Sequence, residues 1–496
     1  MGVIAQQSIR GAVANYIGVA IGFVTTFFVI TRCLTEAEVG LTRMMVDAAM
    51  LFSSLAQLGT NSTLVRYFPY FKDGDRNHGI FGWSVLIPAV GFVVMLALFL
   101  LFNGPLTALY AQNSPLAADY FYLLPMLTLF AMYTTVFETN ASVLMHITVP
   151  KMVREIGIRV LNLVAYILYG VGVIDFTAFV WLFCCSYGAA MLLNLFYLSR
   201  LGRLTLRIER GFPGRRMLRQ MGGYSLFMTA TVLAGNVPLM NSLFLGAKAG
   251  AALTGVYAIA SYVANVVEVP YRSLGAIARP VVATAVKEDN RSEVNRLVRE
   301  VSLHQLLVSL LIFYLIWINL DAFFVLLPEG DRYAGGAIVV LLLGLAKVVN
   351  SSFSIGTDVL NFSRHYRIGL IFIGVLTALN IVLNSTLIGV WGIGGSAAST
   401  LLAYIVYFTL MLAYVWRKLR VSLFSAGQMK VVAMMALLLL LNAAWRQWVA
   451  PLIGNILVDA VVKTAVLGGA AALVTYCWRI SPTVNNLMDK VLRRKR

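Results

Sequence analysis

Residues 38–69 read EVGLTRMMVDAAMLFSSLAQLGTNSTLVRYFP, and this stretch decides the fold because the second half of the chain echoes it. It is entered through Glu38-Val39-Gly40-Leu41 and left through Arg66-Tyr67-Phe68-Pro69. A later apolar stretch is entered through Thr254-Gly255-Val256-Tyr257 and left through Ala278-Arg279-Pro280. Gly40 and Gly255 are 215 positions apart, Arg66 and Arg279 213, and Pro69 and Pro280 211. Asn162 and Asn380, each after an apolar run, are 218 apart. One offset near 215 relates two sets of six apolar stretches. Six is even, so both halves would share one orientation. Such a parallel repeat has its axis along the membrane normal, and its two bundles would enclose a central cavity.

Working outward, the 496 residues are 60% hydrophobic and 12% charged, with a mean hydropathy of +0.82. Soluble domains carry roughly twice that charge, and disordered chains lack such apolar bulk. Fourteen stretches reach the ~20 apolar residues that a spanning helix needs. They centre on 11–31, 44–66, 79–103, 119–145, 156–174, 176–199, 221–245, 252–280, 302–326, 333–357, 366–388, 392–415, 428–448 and 455–478. The expected fold is an all-α polytopic membrane protein: two parallel six-helix repeats around a central cavity, plus two C-terminal helices. The expected divisions are an N-terminal lobe at 1–210, a C-terminal lobe at 211–420, and the extra pair with a basic cytoplasmic tail at 421–496.

The net charge of +18 is read as topology, because cytoplasmic loops collect Lys and Arg. With the N-terminus inside, 32 of the 39 basic residues fall on the cytoplasmic side and six outside. Seven of the 32 are Arg200, Arg203, Arg207, Arg210, Arg215, Arg216 and Arg219, and six lie in the tail from Arg479 to Arg496. Both termini are therefore expected in the cytoplasm. Attraction to anionic lipid accounts for the basic loops without nucleic acid.

Three segments carry a family resemblance. They are Leu34-Thr35-Glu36-Ala37-Glu38-Val39-Gly40-Leu41, the run from Leu58 to Pro69, and Leu379-Asn380-Ile381-Val382-Leu383-Asn384 followed by Gly392-Ile393-Gly394-Gly395-Ser396-Ala397-Ala398. Through them, and over about residues 5–415, the chain resembles the lipid-linked oligosaccharide (Wzx-type) flippases. These belong to the multidrug/oligosaccharidyl-lipid/polysaccharide exporter superfamily. Fourteen helices also match the lipid II flippases of that superfamily, but the Arg-rich first helices expected of those are missing. The resemblance implies translocation of a polyprenyl-pyrophosphate-linked glycan across the bacterial inner membrane by alternating access, for O-antigen, capsule or exopolysaccharide assembly. It implies no cofactor. The partners it implies are membrane lipids, a coupling proton or sodium ion, and a polysaccharide polymerase in the same membrane.

Charges inside spanning helices are costly and face a cavity or a partner. Lys347 falls near the bilayer centre and reads as a cationic site for phosphate or an anionic sugar, or as half of an ion pair with an unseen carboxylate. Glu268 and Arg272 share a helix face at i, i+4, with Pro270 between them expected to kink the helix. They read as an intrahelical pair, or as an arginine that exchanges Glu268 for phosphate. Asp47, Glu138 and Glu268 are candidates for ion coupling. Asp47 is expected to pair with Arg43, and Asp358 with Arg364. Arg66, Arg159 and Arg279 end helices on the cytoplasmic side and read as topology markers and lipid-headgroup contacts, or as substrate-binding cations. The repeat-related Arg66 and Arg279 are expected to repel each other until a pyrophosphate docks. Asn15, Asn61, Asn140, Asn265, Asn350, Asn380 and Asn384 line a cavity or join helices. Asn380 and Asn384 are assigned to helix packing, Asn61 and Asn140 to the substrate.

No P-loop, His-Glu-x-x-His or paired-Cys pattern occurs, so neither ATP hydrolysis nor a metal site is indicated. Two rival readings remain: a drug/cation antiporter of the same superfamily, and a membrane enzyme of polysaccharide assembly. The enzyme would need acidic catalytic residues on a large loop, and the longest outer loop, 103–118, has no acidic pair.

Overall fold

Thr35 starts the first long helix, α1 (Glu36–Ala56), with a capping box. Its hydroxyl accepts from the Glu38 N–H at 3.4 Å, and the Glu38 carboxylate accepts from the Thr35 N–H at 2.8 Å. Two otherwise orphaned donors are thereby satisfied. The other Glu38 oxygen accepts from the Tyr169 hydroxyl at 2.7 Å. The segment Leu34–Leu41 thus has a local structural task, to begin a helix and pin it to a neighbour. Gly59, at φ 67°, then separates α1 from a short helix at Thr60–Tyr67. The backbone there is left-handed, a conformation that favours glycine.

The computed structural model describes residues 17–71, 75–201, 213–481, 484–486 and 489. The readings placed on Asn15, on Arg203, Arg207 and Arg210, and on the tail from Lys490 onward lie outside the described residues. Among the described residues every regular element is helical. All fourteen apolar stretches contain helix, but the count of fourteen spans is not reproduced by length and composition. Ten helices are long and apolar enough to cross a membrane, or eleven if the bent pair Arg215–Leu233 and Pro238–Lys248 is one span. The stretch at 156–174 falls short because the continuous helix through it, from Thr148 to Gly170, carries Lys151, Arg154, Glu155 and Arg159. Two expected spans merge into one long helix, broken at Gly392 (φ 54°, ψ −128°). The chain is an integral, multi-pass membrane protein.

Its Cα packing divides the chain into two units, Met1–Ala258 and Ile259–Arg496. In the first unit, α1 is followed by α2 (Ile80–Ala111), α3 (Leu124–Val143), α4 (Phe176–Arg200), α5 (Arg215–Gly235), α6 (Val237–Lys248) and the start of α7 (Ala251–Asn265). α1 packs on α3 and α6, with Leu41, Met44 and Met45 fully buried. Near its start it meets α7 with no room for side chains. A Cβ on Gly40 would strike the Ala251 carbonyl, and one on Gly255 would strike the Glu36 carbonyl. The two glycines that mark the repeat therefore meet each other, as small residues do where membrane helices approach closely. Gly40→Val is expected to cost about 1–3 kcal/mol by overpacking, read as a lower melting temperature in detergent. Gly104→Val, where an added Cβ meets nothing within 4 Å, should change it little.

The second unit continues with α8 (Val269–Lys287), α9 (Arg291–Ile318), α10 (Ala337–Phe362), α11 (Tyr366–Tyr414), α12 (Ala426–Trp448) and α13 (Ile456–Cys477). α10 packs on α8, α9 and α11. Across the Gly392 break, Ser396 donates to Asn384 at 2.9 Å, and Asn384 donates to Asn380. Both asparagines are buried and join the two arms of α11. α12 and α13 dock on α9 through Leu303, Leu307, Tyr314, Met434, Leu438 and Leu467. The Tyr314 hydroxyl donates to the Leu438 carbonyl at 2.7 Å, and Asn319 donates to Thr464 at 2.7 Å.

Candidate functional site

α7 does not run directly into α8. A 3₁₀ turn at Val266–Glu268 separates them, and Pro270 lies in the first turn of α8. A proline in the first turn forfeits no intrahelical hydrogen bond, so the expected discontinuity falls just before it. This turn sets Glu268 against α10, with its side chain 8% exposed. Lys347 lies about 15 Å along α10 from its start at 1.5 Å per residue, and its side chain is 11% exposed.

Lys347 Nζ is 3.3 Å from Glu268 Oε2, and Asn350 Nδ2 donates to Glu268 Oε1 at 2.8 Å. The carboxylate unseen in the sequence is therefore Glu268. Arg272 lies 3.9 Å from the same Oε2, with its side chain 72% exposed. The intrahelical pair expected at i, i+4 is the longer of the two contacts. Both Glu268 oxygens are engaged, one by an ammonium and one by an amide, while the Arg272 guanidinium is largely open. A buried carboxylate shared by a buried cation and an exposed one can hand either cation to an incoming anion.

Three turns further along the same two helices, Arg279 Nε is 3.1 Å from Asp358 Oδ2, and Arg279 donates to the Tyr271 hydroxyl at 2.7 Å. This corrects two expectations. Asp358 pairs with Arg279, not Arg364, because α8 lies against α10 along this length. Arg279 is not an uncompensated charge, so the expected repulsion between Arg66 and Arg279 loses its basis. Each ion pair links residues 79 positions apart, and the charge order reverses between them. α8 presents acid then base, and α10 base then acid. A slip of one helix along the other would break both pairs.

The remaining candidates lie in the first unit. Asp47 accepts from Arg43 at 2.6 Å, as expected, and also from the Ser242 hydroxyl of α6 at 2.6 Å. Glu138 meets Arg154 at 2.9 Å. Arg159 meets Glu155 at 3.1 Å and donates to the Gly18 carbonyl. Asn140 is fully buried, accepts from Ser84 at 2.9 Å and donates to the Val136 carbonyl, a helix-joining arrangement. Asn61 donates to Gln57 at 2.7 Å while its buried carbonyl oxygen has no partner. Arg66 lies over the Tyr224 ring at 4.3 Å, a cation–π contact, with no ion pair among the described residues. The structure thus gathers Lys347, Glu268, Arg272 and Asn350 in one place and Arg279 and Asp358 nearby. It leaves Asp47, Glu138 and Arg159 in separate local pairs.

Sequence reading missed one buried polar group. Lys463 Nζ lies 3.0 Å from Asp459 Oδ2, and Trp445 Nε1 donates to Asp459 Oδ1 at 2.8 Å. The i, i+4 spacing of Asp459 and Lys463 was the available signal. No group of three or more His, Cys, Asp or Glu able to hold a metal occurs among the described residues.

Comparison with known proteins adds the following. A family model described as polysaccharide biosynthesis protein matches residues 4–283. Among curated proteins none matches the chain in sequence. The lipid II flippase MurJ in an inward closed conformation is similar in structure, with a TM-score of 0.67 and 12% identity over 94% of this chain and 99% of that one. So is an inward-facing multidrug resistance MATE family transporter of the MOP superfamily, with a TM-score of 0.61 and 14% identity over 82% and 98% of the two chains. A third is a MOP superfamily transporter from Pyrococcus furiosus described as having a binding pocket of reverse polarity. Its TM-score is 0.53, with 15% identity over 83% of this chain and 95% of that one. At these identities the likeness is one of fold.

Proposed function

The chain belongs to the polysaccharide biosynthesis protein family, and from that premise we propose that it is a flippase, not an enzyme. It moves a polyprenyl-pyrophosphate-linked oligosaccharide across the bacterial inner membrane by alternating access. The observation that carries this reading is the Lys347–Glu268 pair deep in the second unit, with Arg272 beside it. A sugar headgroup bearing pyrophosphate cannot cross hydrocarbon unaided. It needs cations that are desolvated yet exchangeable. Lys347 meets both requirements, because it is buried and Glu268 balances its charge when the site is empty, and the exposed Arg272 beside it supplies a second cation. The likeness in fold to a lipid II flippase supports a lipid-linked cargo.

In this reading the incoming anion takes Lys347 and Arg272 from Glu268. A carboxylate left without a cation in a dehydrated site is expensive, and a coupling ion in the vacated place removes that cost. Glu268 is therefore assigned as the coupling group, and the other acids, Asp47 and Glu138, stay in their local pairs. Arg279 is held by Asp358 until the substrate competes for it. Arg66 remains a candidate for first contact with pyrophosphate, through a guanidinium that stacks on Tyr224 and has no ion pair among the described residues. The glycan would pass to a polysaccharide polymerase in the same membrane.

Deleting the gene should make a lipid-linked glycan accumulate on the cytoplasmic leaflet, identified by mass spectrometry of extracted lipids. Absence of any such accumulation would refute the assignment. The charge asymmetry supports an orientation with both termini in the cytoplasm. Cysteines introduced in the loop 200–220 and after Arg479 should resist impermeant thiol reagents in intact cells and react after permeabilisation. Labelling in intact cells would reverse the orientation.

A further inference from the structure

Where α11 ends, the second unit contains an apolar cavity that the transport reading does not use. Its volume is about 490 Å³. Phe353 of α10, Phe408 and Leu412 of α11, Trp416 of the following π-turn, and Leu423 and Phe424 of the connection to α12 line it. The Phe353 ring lies 6.1 Å from Phe408 and 5.8 Å from Phe424, so the aromatics form one continuous wall. Thr409 and Ser422 contribute the polar side chains of the lining. Trp416 is 62% exposed and Phe424 59%, which opens the cavity to the outside of the bundle. In water such a wall would be a liability, but in a bilayer it faces hydrocarbon.

The chain between the lining residues Trp416 and Val421 carries charge of a single sign. Arg417, Lys418 and Arg420 follow Trp416 within four positions, all exposed, and residues 415–425 include no acid. None of these three cations has an ion pair among the described residues. The connection that bears these cations is also fixed in place. Asn295 donates to the Arg420 carbonyl at 3.2 Å and accepts from the Ser422 N–H at 2.9 Å. Arg299 donates to the Ser422 carbonyl at 3.1 Å. Topology alone would call for the cations, but not for an aromatic-walled cavity opening beside them on a pinned support.

We propose that this cavity is a binding site for an anionic phospholipid, with one acyl chain between Phe353, Phe408 and Phe424 and the headgroup phosphate on Arg417, Lys418 and Arg420. Charge complementarity fixes the class of occupant. A zwitterionic lipid could fill the cavity equally well but would gain less from the three cations between Trp416 and Val421. The site is separate from Lys347 and Glu268 and does not depend on the transported cargo.

The test uses the full-length chain in phosphatidylcholine vesicles doped with lipid brominated in its acyl chains, carrying either a phosphatidylglycerol or a phosphatidylcholine headgroup. Bromine quenches tryptophan on contact, and the Trp416 contribution is the difference from Trp416→Phe. Brominated phosphatidylglycerol should quench Trp416 at about a tenfold lower mole fraction than brominated phosphatidylcholine. Unbrominated phosphatidylglycerol should relieve that quenching in the unmodified protein, a readout that needs no charge variant. Replacing Arg417, Lys418 and Arg420 together by glutamine should abolish the headgroup preference. Equal quenching by the two headgroups, or no relief by competition, would reduce the cavity to ordinary contact with bulk lipid.

Discussion

Lys347→Ala is expected to lower glycan translocation at least tenfold while the protein still reaches the membrane. The variant removes the one cation that lies within 11% exposure of full burial beside Glu268. Lys347→Arg should retain part of the activity, because the charge survives while the compact ammonium is replaced by a planar fork. A stability effect must be separated from this. Removing one partner of a buried ion pair costs about 3–5 kcal/mol, whereas replacing both by apolar or neutral groups is often close to neutral. The double variant Lys347→Met with Glu268→Gln should therefore restore the melting temperature in detergent without restoring translocation. If translocation returns together with stability, the pair is structural only. If Lys347→Ala translocates normally, Lys347 has no part in the substrate site.

Asp459→Ala is expected to be the most damaging substitution for the packing of α12 and α13. Asp459 and Lys463 have side chains only 11% and 8% exposed, and Trp445 reaches across from α12 to donate to Asp459. Truncating the carboxylate strands the Lys463 ammonium and the Trp445 N–H together. The cost is about 3–5 kcal/mol for the unpaired charge, enough to expose the connection between α12 and α13 to protease in detergent. The double variant Asp459→Asn with Lys463→Met should recover most of that loss, since the amide can still accept from Trp445. Equal fragility of single and double variants would mean that the helices are held by the Leu303–Leu467 apolar cluster alone, and that the polar group adds nothing.

What the sequence made legible follows from the range over which each signal acts. Apolar length is a local property, so the helical, membrane-spanning character was visible while the count of fourteen spans was not reproduced, and the gap between 388 and 392 anticipated the break that occurs at Gly392. Local pairs were equally readable: Arg43 with Asp47 at i, i+4 is found as expected. Pro270 marked the discontinuity between α7 and α8, because a ring without an N–H fits the first turn of a helix at no cost in hydrogen bonds. The repeat singled out Gly40 and Gly255, but only the structure showed that these glycines meet. Partners on different helices stayed hidden. Glu268 with Lys347 and Arg279 with Asp358 share the separation of 79 positions, which no helical periodicity encodes. It depends on the lengths of α9 and its flanking turns, and a nearer but unused partner such as Arg364 is the natural guess in its absence. The cavity beside Trp416 was hidden for a similar reason, since its aromatics come from three separate segments.

The central claim, that this chain carries a lipid-linked anionic glycan across a bilayer, is tested most directly by purified protein in sealed vesicles. A polyprenyl-pyrophosphate-linked oligosaccharide is loaded into both leaflets, and a glycan-cleaving enzyme is added outside. Without a flippase only the outer-leaflet half is cleaved. With the protein present, cleavage should proceed to near completion, and Lys347→Ala vesicles should stop at the outer half. Cleavage that stops at the outer half with the unmodified protein would contradict the account.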